Sequence, residues 1–245
     1  MKVIRKIIHF LDRLLNSVIA VSAAIMLLFA GYSLWDSTQV LKEADAKEYE
    51  IYRPEEGKFS FEELQKINPE VIAWLTIPGT HVDYPVAQGT DNMKYVNTNA
   101  EGEFALSGSL FLDSMNSPDF TDANSILYGH HMDKDAMFGE LYRYQDADFF
   151  DVHATGKLYY DNTWHVLQFF AFLSVDSHDN VVYDTTIQFP EEFEMYQNYI
   201  KQNAVQYREM NQNPDDHYII LSTCTSASVD ERHVLVGKLM KGEES

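Results

Sequence analysis

Cysteine is nearly absent: the 245-residue chain holds one, Cys224. A single thiol cannot close an internal disulfide, so no disulfide framework supports this fold. That thiol is either a small buried packing group or a working nucleophile. Basic residues are scarce as well, 18 Lys and Arg against 38 Asp and Glu, a net charge of −20. Such acidity argues against nucleic acid and against adhesion to anionic lipid; it suits cationic partners, or plain solubility outside a cell. Internal repeats and low-complexity tracts are missing. The nine histidines show no metal-ligand spacing, and one thiol is too few for a Cys/His zinc site, so neither metal nor cofactor is expected.

Only one long hydrophobic run exists. Lys2, Arg5, Lys6 and Arg13 precede 22 uncharged residues from Leu14 to Trp35, and Asp36 ends the run. Crossing a hydrocarbon core takes about 20 helical residues. Residues 1–13 therefore read as a cytoplasmic basic segment and 14–35 as a transmembrane anchor, with everything after Asp36 outside. Tyr32 and Trp35 suit the outer interface. The rival is a cleaved signal peptide, since Ala20, Ala23, Ala24, Ala30 and Gly31 supply small residues. The run is long for a signal sequence and no clear cleavage box follows it; both readings export the rest. Residues 36–58 are charged, with Val40, Leu41, Ala44 and Tyr49 at loosely helical spacing, and read as a stalk or N-terminal helix. Residues 59–245 suit one domain with a substantial core.

In that domain Ser60-Phe61-Glu62-Glu63 is a capping box, which predicts a short helix stopping before Pro69. Short runs rich in Val, Ile, Tyr, Phe and Trp follow: Val71–Ile77, His81–Val86, Ser109–Leu112, Ser125–His130, Lys157–Tyr160, Trp164–Val175, His217–Thr223 and His233–Met240. Pro78-Gly79 marks a turn between the first two. Eight short strands point to a mainly β barrel or sandwich. Helical interruptions are expected near Met137–Tyr144 and at Pro190–Gln202. In the second, Phe193, Met195, Tyr196 and Tyr199 form an apolar stripe of the kind that packs on a core.

Cys224 closes the apolar run Tyr218–Thr223, and Arg232 opens the next one. If the two strands form an antiparallel hairpin, Cys224 and Arg232 flank its mouth. Directly opposed residues there have Cα atoms about 4.5–5.5 Å apart. A guanidinium that close favours thiolate over thiol, whose reference pKa is about 8.5, and can donate to a developing oxyanion. Taken singly, a lone Cys is commonly a buried hydrophobe and a lone Arg a solvated one; their joint placement favours chemistry. His130 ends the run Ser125–Gly129, where Gly129 leaves room for a substrate backbone. An imidazole there can protonate a leaving amine and deprotonate an incoming one. His131 is a rival, although strand neighbours face opposite ways.

At these residues the sequence resembles the sortase family, most closely class B. The active-site strand of that family, Thr-Leu-X-Thr-Cys, is matched by Ile220-Leu221-Ser222-Thr223-Cys224, and its arginine by Arg232. The class B segment Tyr-Gly-His-Asn-Met is matched by Tyr128-Gly129-His130-His131-Met132. Further landmarks run in order: Asn68–Trp74, Ile77–Thr80, Asp83–Val86, Asp91-Asn92, Gly108–Asp113 and Met137–Gly139. Ile220 replaces the first Thr of the motif and His131 the usual Asn. The resemblance implies an eight-stranded barrel with N-terminal helices and an extra helix between strands six and seven. It also implies a cysteine transpeptidase and endopeptidase with His130, Cys224 and Arg232 as catalytic residues and Asn92, Ser222 and Thr223 as substrate-binding ones. The implied partners are secreted proteins with a C-terminal sorting signal, cut after Thr, and an amine acceptor. That acceptor is a lipid II-like peptidoglycan precursor or, alternatively, a pilin lysine. A papain-like peptidase fits less well, because there Cys precedes His and begins a helix. An L,D-transpeptidase spaces Cys and Arg more closely than the eight residues here. A catalytically inactive, membrane-anchored binding protein is the alternative from another class.

Overall fold

The computed structural model describes residues 2–55, 60–187, 190–213, 215–224 and 230–240. It divides into two compact units, Met1–Lys42 and Glu43–Ser245. The first is almost wholly one helix, α1 (Lys2–Glu43), which contains the uncharged run and is long and apolar enough to cross a membrane.

The second unit begins with a 3-10 turn at Ala46–Tyr52, started by the Asp45 side chain, which accepts from the Lys47 amide. This turn packs on the domain through Tyr49, and the Tyr84 hydroxyl donates to the Ala44 carbonyl at 2.8 Å. Helix α2 (Ser60–Ile67) starts where the capping box lies and stops before Pro69. The Ser60 hydroxyl, however, donates to the Arg53 carbonyl and so ties the helix back to the preceding turn.

Nine strands follow among the described residues: β1 (Val71–Thr76), β2 (Asp83–Ala87), β3 (Leu110–Leu112), β4 (Asn124–Tyr128), β5 (Thr155–Tyr160), β6 (Thr163–Asp176), β7 (Gln206–Tyr207), β8 (His217–Cys224) and β9 (Glu231–Leu239). Eight of them close a barrel in the order β5-β1-β2-β3-β4-β8-β9-β6, with β6 returning to β5. Closure leaves no edge strand within this ring among the described residues. The two-residue β7 adds to β6 outside the ring. Most pairings are antiparallel; β2–β3 and β4–β8 are parallel. The 14-residue β6 serves both β5 and β9, with its register shifting between Phe169 and Ala171. Such a bulge bends a long strand around a barrel.

Two apolar cores share the same wall. Inside the barrel lie Leu75, Leu127, Leu158, Phe169, Phe172, Ile219, Leu221 and Leu235. Outside it, Ile126, Phe170, Leu173, Tyr218, Ile220, Val234 and Val236 pack against α4 (Glu191–Asn203). A strand covered on both faces reads as a continuous apolar run rather than an alternating one. That is why Tyr218–Leu221 and Val234–Val236 contain no polar residue. Helix α4 lies between β6 and β7, and its buried stripe is Phe193, Tyr196 and Ile200. Met195, expected in that stripe, is 65% exposed. The interruption expected at Met137–Tyr144 is only a 3-10 turn at Leu141–Gln145, followed by α3 (Ala147–Val152), whose N-cap Asp146 accepts from the Phe149 amide.

Candidate active site

The ends of β4 and β8 and the start of β9 meet at one rim of the barrel. Across β8 and β9 the register pairs Ser222 with Val234, Thr223 with His233 and Cys224 with Arg232. The hairpin geometry expected from sequence is therefore present at the backbone level. The Cys224 side chain and residues 225–229 of the connecting loop lie outside the described residues. On the other side of β8, Tyr128 is the parallel register partner of Ser222.

A cavity of about 370 Å³ opens at this rim, lined among others by Val96, Tyr128, His130, Tyr183, Ser222 and Arg232. Strand β4 stops at Tyr128, two residues short of His130. The Gly129 amide still donates to the Ser222 carbonyl, and the Phe138 amide donates to the His130 carbonyl. His130 thus sits on a turn clamped from both sides. The clearance that Gly129 provides is not open to a substrate. A Cβ there would lie 2.7 Å from Phe138 Cδ2 and would also strike Leu110.

His130 Nε2 lies 2.8 Å from the Val96 carbonyl oxygen. A carbonyl only accepts, so Nε2 carries the hydrogen, and in the neutral ring Nδ1 is the basic nitrogen. Arg232 donates to the Glu231 carbonyl at 3.1 Å and lines the cavity beside Ser222. Its charge reaches Tyr128, where burial and then Asp113 push the phenol pKa up and Arg232 partly opposes them. Tyr128 is therefore neutral at any physiological pH. Its hydroxyl donates to Asp113 at 3.0 Å, and its ring lies 5.3 Å from Phe111 and 6.4 Å from Tyr183.

The expected substrate-binding residues separate. Ser222 is in the wall, its hydroxyl 2.9 Å from that of Tyr183. Thr223 lines the cavity, but its hydroxyl is buried without a hydrogen-bond partner among the described residues. Asn92 stands one step behind the wall. It donates to Asp113 at 2.8 Å, and the same carboxylate oxygen accepts from Tyr128. Tyr183 and Ser177, both in the β6–α4 connection, line the cavity and were not anticipated. Tyr128 was legible by strand phase with His130 in the run Ser125–His130; Tyr183 has no periodicity to reveal it. Elsewhere, donor atoms of His81, Asp135 and Glu140 lie within 4.8 Å of one another. The buried Glu140 already accepts from His81 and the Arg143 guanidinium, so its carboxylate is engaged within the protein.

Comparison with known proteins agrees with this architecture. The sortase domain family model matches residues 75–240. Sortase B of Listeria monocytogenes is 36% identical over 189 residues, covering 73% of this chain and 73% of that one. The Staphylococcus aureus sortase B–substrate complex superposes with a TM-score of 0.70 at 30% identity, covering 85% of this chain and 94% of that one. A Streptococcus pyogenes class B sortase involved in pilus biogenesis gives a TM-score of 0.68 at 36% identity, covering 74% and 97%. A closed eight-stranded barrel of this kind is the sortase fold, and sortases are cysteine transpeptidases of the cell surface. The chain belongs to the sortase family, and the proteins it is similar to are class B members.

Proposed function

We propose that this class B sortase cuts a C-terminal sorting signal of exported proteins after Thr and transfers the new acyl end to an amine of a peptidoglycan precursor. The observation that carries the reading is the pairing of Cys224 with Arg232 at a rim where Arg232 and His130 line one cavity. Residue 224 is in strand phase with Ser222, which faces that cavity.

In the proposed reaction the Cys224 thiolate adds to the Thr carbonyl carbon. Arg232 donates hydrogen bonds to the resulting oxyanion. The C–N bond then breaks, and imidazolium His130 gives its Nδ1 proton to the departing amine, leaving a thioester. This divides one difficult acyl transfer into two easier ones. The incoming amine loses a proton to His130 Nδ1 and expels the thiolate, which restores the enzyme. Water in place of the amine gives endopeptidase activity. The Val96 carbonyl keeps the ring oriented throughout, since Nε2–H stays bonded to it. Ser222 and Thr223 form the groove wall, and Asn92 acts by holding Asp113 and, through it, Tyr128.

In the same proposal, residues 1–13 remain in the cytoplasm, 14–35 anchor the chain, 36–58 link it to the outer surface, and 59–245 form the catalytic domain. This places the rim where exported substrates and lipid-linked precursors meet, with no role for nucleic acid. Joining pilin subunits through a lysine amine is the second reading, motivated by the Streptococcus pyogenes relative involved in pilus biogenesis. Mass spectrometry of the enzyme with a sorting-signal peptide and candidate amines tests both. A peptide–amine adduct and a Cys224 thioester are expected with wild type and neither with Cys224→Ala; adducts formed by Cys224→Ala would refute the nucleophile.

A further inference from the structure

Each residue assigned to catalysis has a chain neighbour next to it: His131 beside His130, Thr223 beside Cys224, His233 beside Arg232. Thr223 and His233 are direct register partners across β8 and β9. They share the strand phase of Leu221 and Leu235, which belong to the barrel core. They therefore stand at the mouth of the barrel on its inner face, with Thr223 at the edge of the cavity. His131 bridges to Met137 in the segment after β4, and its ring lies 6.3 Å from that of Tyr142. The His233 ring lies 5.3 Å from Phe172. Burial chiefly holds the His233 pKa below 6.5; Glu231 opposes this, and His131 is close enough to add to the lowering.

Thr223 Oγ1, His131 Nδ1 and His233 Nδ1 are all buried, and none has a hydrogen-bond partner among the described residues. Thr223 is only 2% exposed. Buried polar atoms in folded proteins are satisfied, by ordered water where protein groups do not serve, and about two to four polar partners hold such a water. The bonding capacities here close. Two imidazole rings with hydrogen on Nε2 accept at Nδ1, and a threonine hydroxyl donates, which is what one water with two hydrogens and a lone pair needs.

We infer that His131 and His233 are positioning residues: with Thr223 they enclose a water at the barrel mouth, and that bonded unit fixes the backbone presenting His130, Cys224 and Arg232 to the cavity. Adjacent residues share a peptide plane, so holding 131, 223 and 233 at the barrel mouth sets the direction of 130, 224 and 232. The inference rests on the catalytic assignment proposed above.

Four variants of the full chain in detergent test it, assayed for transpeptidation and thermal unfolding. His131→Leu and His233→Leu remove the polar atom and leave similar volume. Each leaves the water and the other two groups one bond short, so the melting temperature is expected to fall by only about 5 °C or less, while kcat falls about tenfold or more through misplacement of the reacting groups. A merely structural role moves both quantities together. His131→Asn and His233→Asn keep a polar atom where Nδ1 sits and are expected to stay within about threefold of wild type. Leu variants with wild-type kcat, or Asn variants that fall as far as Leu, overturn the inference. A crystal structure resolving waters checks it without any variant: one within hydrogen-bond distance of all three atoms supports it, and its absence overturns it. Cys224→Ala separates the two readings. If that variant turns over, the catalytic assignment itself fails; if it is inactive and the Leu variants are unimpaired, only the water-bridged brace fails.

Discussion

At His130 the hydrogen-bond geometry divides the ring between two tasks. Nε2–H holds the Val96 carbonyl at 2.8 Å, which leaves Nδ1 for proton transfer. Glutamine places an amide NH near the position of a histidine Nε2 but carries no titratable nitrogen. His130→Gln is therefore expected to retain the fold and the Val96 contact while kcat drops by about 10²–10⁴, the usual worth of a general acid–base. A melting temperature that falls with activity would mean that the residue is structural. Ser222→Ala poses a different question, because Ser222 is 1% exposed and its hydroxyl meets that of Tyr183. Loss of that hydrogen bond should cost about 1 kcal/mol of stability. It should also loosen the β6–α4 connection at the cavity, so peptide KM rises more than kcat falls. Steady-state kinetics with a sorting-signal peptide separate the two constants; an unchanged KM would remove Ser222 from the groove wall.

At the scale of elements, the segment that supplies Val96 depends on one backbone conformation. Gly108 has φ +60°, and a Cβ there would lie 2.6 Å from both the Tyr95 and Val96 carbonyl oxygens. Alanine cannot occupy that space without moving the peptide that orients His130. Gly108→Ala is expected to destabilise the domain by about 1–2 kcal/mol from the left-handed conformation alone, more with the clash, and to lower kcat. Circular dichroism melting together with peptide turnover checks this, and a variant with both values unchanged would contradict it. The same contrast marks what the chain discloses in one dimension. The strands around Trp74, Phe169, Ile219 and Val234 announce themselves because buried β-branched and aromatic runs look alike in any sheet. The pairing of Cys224 with Arg232 followed from hairpin geometry alone. Helix α3 did not, since its six residues are too few to display a period, and β7 is two residues held only by β6. Gly129 misled for a related reason. Its missing Cβ signals close approach, but nothing local tells whether the intruder is substrate or, as found, Leu110 and Phe138. Tyr183 reaches the cavity from a loop whose path is set by α4 docking on Phe170, Tyr218 and Ile220.

For the molecule as a whole, acid acts through two groups of residues in separate windows. His165 and His233 have pKa values below 6.5, in both cases chiefly because burial disfavours the charged ring. In the unfolded chain they bind protons near 6.5 and in the folded chain only at lower pH. Stability is therefore fully present above that value and declines as pH falls below it. Glu70 and Glu140 have pKa values below 4.5. At Glu70 the bond from Lys94 leads; at Glu140 burial pushes upward but is outweighed by hydrogen bonds from His81 and Arg143. Their contribution persists above 4.5 and disappears as pH drops through the folded values. Melting temperature should accordingly fall in two stages, the first below about pH 6.5 and the second below about pH 4.5. The double variant His165→Gln with His233→Asn removes only the first, because neither replacement titrates. A flat melting temperature for it between pH 7 and 5.5, against a declining wild type, is the expected result. An equal decline in both proteins would place the acid sensitivity elsewhere in the barrel.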